Sequence, residues 1–149
     1  MHKIMQTKLP ELPSVVLSNG LRVANYSSPH PFTFTDGSVL PACSSARAKM
    51  TLLDARETEL PREIRGIKIT DVVIDWKLTW FLEQEVDNFV YAQYHKDFPW
   101  DIILVPLPFM VAVKKYIDQS FKDAGTPPFR VIRVADRLTK EIHIDKFCV

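Results

Sequence analysis

The apolar and polar positions of this chain fall into short runs whose spacing switches between two residues and about 3.6. Residues 1–13 carry no sustained pattern and read as an N-terminal arm punctuated by Pro10 and Pro13. Val15-Val16-Leu17 and Leu21-Arg22-Val23 then flank Ser18-Asn19-Gly20. Asn-Gly between apolar runs predicts a β-hairpin, because both residues tolerate positive φ. Phe32 to Thr35, Asp36-Gly37 and Ser38 to Leu40 repeat the arrangement. The proline- and serine-rich stretch Asn25 to Pro31 lies between them, so the N-terminal third reads as a β-meander with one polar loop.

Pro41 to Met50 predicts a short helix capped by Ser44 or Ser45. Residues 51–65 mix acids and bases with weak periodicity and are ambiguous. From Gly66 the period is two again, but the apolar phase flips between Ile69 and Val72, which implies a bulge or two strands. Thr79 suits the N-cap of a helix running to about His95, with Leu82, Val86, Phe89 and Val90 on one face. Ile102 to Val105 reads as a strand buried on both faces. A second helix starts near Pro108, with Met110, Val113, Ile117 and Phe121 as its buried stripe and Gly125 as its stop. Arg130 to Ala135 and Glu141 to Phe147 are the last strands, with Ile142 and Ile144 inward. Residues 102–135 therefore form a β-α-β unit. Residues 14–149 are expected to be one α/β (or α+β) domain with a mixed β-sheet, N-terminal β-hairpins and two main helices.

Composition narrows function. The chain has 149 residues, 46% apolar and 25% charged, enough for a core without disulfide or metal. Nineteen Lys plus Arg against 18 Asp plus Glu argue against bulk nucleic-acid binding. The four glycines stand alone, so neither a dinucleotide fingerprint nor a Walker loop is present. Cys43 and Cys148 form no CxxC pair and no zinc quartet, and no two histidines have helical ligand spacing. No metal or cofactor is expected. Ile102 to Val113, the longest apolar run, is too short for a membrane span, and two cysteines suit a reducing compartment, so a cytoplasmic location is expected.

Three readings of function compete. The leading one is a protein that binds an anionic, nucleotide-like small molecule beyond the carboxyl ends of the β-α-β strands. There the backbone at Pro106 to Met110 opens a helix, and Arg133, Asp136, Arg137 and Lys140 supply charge. Ser27, Ser28 and Arg47 are further ligand-binding candidates. Arg133 could instead be half-buried against Asp75, a structural role. The second reading is a hydrolase or transferase with Cys43 as nucleophile, His30 as base and Asp36 as orienting group. The third is a non-enzymatic interaction or sequestering module. Trp80, Phe81, Tyr91 and Tyr94 fall off the buried stripe of their helix, and a hairpin edge is left unpaired, so a homodimer or higher homo-oligomer is expected.

Overall fold

A computed structural model describes residues 9–45, 53–94, 98–120 and 128–149. Both N-terminal hairpins are built alike. β1 (Ser14–Val16) pairs antiparallel with β2 (Arg22–Asn25), and β3 (Phe32–Thr33) with β4 (Val39–Leu40). In the first loop the Leu17 and Gly20 N–H groups donate to Leu21 and Leu17 carbonyls, and in the second Phe34 and Gly37 donate to Ser38 and Phe34. Each is a three-residue loop whose last residue is left-handed, at φ +89° for Gly20 and +86° for Gly37. Asn19 keeps a negative φ, contrary to expectation. Only the glycines need the special conformation.

The hairpins do not form one meander. β2 continues into a four-stranded sheet of order β1-β2-β7-β8, in which β7 (Ile102–Leu104) and β8 (Phe129–Arg130) run parallel to β2. β3 and β4 form a separate pair. The separation follows from Asn25, which is fully buried at the end of β2. Its Oδ1 accepts the N–H groups of Ser27 and Ser28, and its Nδ2 donates to the carbonyls of Ser28 and Pro41. That closed turn satisfies the polar loop and redirects the chain.

Successive side chains of the sheet face opposite ways, so two cores form. Ala24 and Ile103 face the larger, with α1 (Trp80–Tyr94) and α2 (Leu107–Ser120). Phe89 of α1 is its hub, with ring centroids 5.5–6.3 Å from Tyr26, Phe98, Trp100 and Phe129. Val23 and Leu104 face the smaller, beside Leu17, Phe34, Leu40 and Ile142. The β7-α2-β8 crossover is the predicted β-α-β unit, and Leu82, Val86, Phe89 and Val90 are buried as their spacing requires. Leu9 and Leu12 pack against the larger core. The protein is thus a single compact α+β domain with a mixed sheet.

Several expectations are corrected. Thr79 precedes α1 and its carbonyl accepts the Glu83 N–H, but its buried hydroxyl has no partner, so it does not cap through its side chain. The strand expected at 130–135 is reduced to β8 and bridges at Val131 and Val134. The strand expected at 141–147 is reduced to bridges at Ile142 and Cys148. These residues hold to β3 and to one another through alternating single bonds, such as Ile142 N–H to Thr33, rather than a ladder. The short helix expected before Met50, and Phe121, Gly125 and His95, lie outside the described residues.

The strand expected from Gly66 is present, and the largest departure is its partner at residues 53–64. β5 (Leu53–Ile64) and β6 (Ile67–Leu78) form one antiparallel hairpin with unbroken one-to-one register from Leu53↔Leu78 to Ile64↔Ile67. No bulge accompanies the phase flip. At about 3.3 Å per residue, its twelve-residue strands extend about 40 Å. Among the described residues the contacts with the body are at the root: Leu53, Trp76 and Leu78 pack on the larger core, and α2 lies along β6, with Lys115 paired to Asp75.

Candidate functional site

The residues expected to carry chemistry separate into three places. Asp36 joins the two hairpin loops: its Oδ2 accepts the Ser18 N–H and its Oδ1 the Ser38 N–H, both at 2.8 Å. These backbone donors lower its pKa to about 2. Cys43 is 2% exposed, its N–H donates to the Ser28 carbonyl, and its Sγ lies 3.5 Å from the Ser45 hydroxyl. It lines a hollow with Pro99 and Trp100, whereas His30 lines a different cleft. No hydrogen bond among the described residues links Cys43, His30 and Asp36, which a nucleophile, base and orienting group require.

The second place is that cleft, of about 740 Å³, between the loop at 28–33 and the C-terminal segment. Phe32, Ile132 and Val134 supply its apolar lining, and Ser28, His30, Arg137 and Lys140 its polar groups. The Ser28 Oγ accepts the His30 N–H at 2.9 Å, which leaves the hydroxyl proton free to donate. No carboxylate lines the cleft, and neither Arg137 nor Lys140 has an ion pair among the described residues. Asp136 is occupied: its Oδ1 accepts the N–H groups of Leu138 and Thr139 at 2.8 and 3.3 Å. That turn places Lys140 at φ +59°.

The cleft therefore unites Ser28 and His30 with Arg137 and Lys140, groups the sequence offered separately. Pro106, Met110, Ser27 and Arg133 do not line it. Met110 is buried in the larger core, and its N–H closes the first turn of α2 on the Pro106 carbonyl. Arg133 is exposed, and its expected partner Asp75 is held by Lys115 instead. That hydrogen bond lowers the Asp75 pKa. Arg47 lies outside the described residues.

Body polar groups otherwise serve packing. Tyr26 donates to Glu85, joining β2 to α1, and burial together with this bond raises its pKa strongly. Tyr116 donates to Asp87 at 2.6 Å, joining α2 to α1, with the same direction of shift and burial again the first cause. Arg22 grips Asp101 through its N–H and guanidinium, and the guanidinium bond lowers the Asp101 pKa.

The third place is the β5–β6 finger. Leu60, Ile64, Ile67, Val72, Val73 and Ile74 are each 43–57% exposed. Register puts Val72 and Ile74 on one face and Leu60, Ile64, Ile67 and Val73 on the other. Trp80, 72% exposed, and Phe81 follow directly from its root, and Tyr91 is exposed further along α1. Sequence reasoning missed the finger because half of β5 is charged, which hid the partner of the strand expected from Gly66. The usable signal was Arg65-Gly66 between Ile64 and Ile67, a two-residue turn with φ of +52° and +80°.

Fold and finger define the class: a compact α+β domain that projects a long, two-sided β-hairpin. Comparison with family models, curated proteins and solved structures finds no match for this chain. Among the described residues, no group of three His, Cys, Asp or Glu side chains is placed to hold a metal ion, and no helix is long and apolar enough to cross a membrane.

Proposed function

We propose that this chain is a non-enzymatic assembly module that associates with copies of itself through the β5–β6 finger. The observation that carries this reading is the exposure of apolar side chains on both faces of the finger beyond its root. An isolated two-stranded hairpin is marginal in water, and contiguous exposed apolar surface marks an interaction site. Trp80 and Phe81 extend this apolar surface beyond the root. Its acids and bases nearly balance, so charge neither attracts a polyanion nor separates two fingers. The test is light scattering on the full chain at micromolar concentration. Assembly above the 17.2 kDa chain mass, reduced to that mass by Val72→Lys with Ile74→Lys, is the expected result. A wild-type chain that stays at the monomer mass would overturn it.

A second reading is favoured by the cleft. Two cations without an ion pair among the described residues, a hydroxyl donor and an apolar wall suit an anionic small molecule with a flat apolar body, such as a nucleoside monophosphate. Adenosine monophosphate should then raise the melting temperature more than inorganic phosphate does, and Arg137→Ala should abolish the difference. Equal shifts with both ligands, or none, would remove this reading.

A further inference from the structure

We infer that two copies of the chain join edge to edge through β6, forming a four-stranded antiparallel sheet whose two-fold axis passes through Val72. This rests on the assembly reading above, and it adds which edge is used and in what register. The inference starts from the turn. Arg65 and Gly66 form a two-residue loop with both φ positive, so Ile64 and Ile67 exchange backbone hydrogen bonds as a close pair. Bonded and non-bonded pairs then alternate down the hairpin. Pro61↔Thr70, Glu59↔Val72 and Glu57↔Ile74 are non-bonded pairs, so the free backbone groups of these residues point outward.

The two outer edges are unlike. On β5 the outward positions are Glu57, Glu59, Pro61 and Glu63. Pro61 has no N–H to offer an incoming strand, and its position costs the internal ladder nothing. Pairing two β5 edges about a two-fold axis through Glu59, Leu60 or Pro61 would set glutamates directly opposite one another. That edge is blunted.

On β6 the outward positions are Lys68, Thr70, Val72 and Ile74, with no proline and three β-branched residues. A two-fold axis at Asp71 would oppose the two Asp71 side chains, and one at Val73 would oppose Asp71 to Asp75. An axis at Val72 opposes Val72 to itself and Thr70 to Ile74, and sets Asp71 against Val73. It avoids both carboxylate clashes. The pairing is confined to the rungs from Thr70 to Ile74, because from Asp75 onward β6 lies against α2.

Proline substitution at the two ends of one rung separates the edges. Val72→Pro and Glu59→Pro each delete one outward N–H and spare the β5–β6 ladder. Sedimentation of each full-length variant, checked by circular dichroism for retained fold, should show Val72→Pro weakening association about tenfold or more and Glu59→Pro leaving it unchanged. Association unchanged by Val72→Pro, or weakened equally by both, would overturn the edge assignment while leaving finger-mediated assembly in place. A monomeric wild type would overturn assembly itself.

Cross-linking gives a readout independent of proline tolerance. In a Cys148→Ser background, Val72→Cys should oxidise to a dimer linked through residue 72. Val73→Cys should not, because its copies are offset along the strands and out of disulfide reach. A dimer from Val73→Cys alone would contradict the register.

Discussion

The body and the finger are made from similar residues under opposite rules. In the body, apolar side chains interlock: Phe89 alone meets four other rings, and buried Asn25 has four hydrogen bonds. In the finger, valines and isoleucines of the same kind stand half-exposed on both faces. The large side chains of the two body cores are covered by neighbours in the same chain, although single apolar residues such as Leu107 and Leu138 stand exposed. The finger is explained only at its root, where Trp76 and Leu78 are seated. Stability therefore resides in the body, and the finger's outer rungs are available for association.

The contrast breaks most sharply at Phe89. Phe89→Ala removes the hub of the larger core and should cost about 3–5 kcal/mol, read as a lowered urea midpoint. Ile74→Ala should shift the same midpoint by less than about 0.5 kcal/mol, as for other surface positions. It should weaken association instead. Equal stability losses at the two sites would erase the distinction.

Asn25 comes next. Replacing it by Ala strands the half-buried N–H groups of Ser27 and Ser28 and the Pro41 carbonyl, and should cost about 1–3 kcal/mol in the same unfolding measurement. A near-neutral Asn25→Ala would mean that the loop relaxes to find other partners.

The smallest effect is in acid. The Asp36 pKa of about 2 lies below the unfolded carboxylate value of about 3.9. Its contribution should be fully present above about pH 4 and disappear as pH falls through about 2. The stability difference between wild type and Asp36→Asn should be constant from pH 7 to about 4 and shrink below that. A difference that grows in acid would contradict the assigned bonds.

The same contrast explains what was legible in the sequence. Leu82, Val86, Phe89 and Val90 display a helical period because one side of α1 is buried, and the period of α2 is read the same way. Beyond its root the finger has no buried face among the described residues, so nothing selects for alternation, and the phase can flip between Ile69 and Val72 without a bulge. β5, nearly all exposed and rich in charge, displayed no strand pattern at all. The cleft was half legible. The loop at Ser28 and His30 and the cations Arg137 and Lys140 were each evident, but their union depends on the C-terminal segment packing on β3. That is a tertiary event with no local signature. The Pro106 to Met110 turn drew attention through its missing cap, yet the apolar residues around it go to the core.

Amide hydrogen exchange along β6 tests most directly whether the finger is an assembly surface. In a lone chain Thr70, Val72 and Ile74 should exchange faster than ladder-bonded Ile69, Asp71 and Val73, because their N–H groups point outward. Raising the protein concentration should protect the fast set and remove the alternation. Fast exchange at Thr70, Val72 and Ile74 that persists unchanged at every concentration would contradict it.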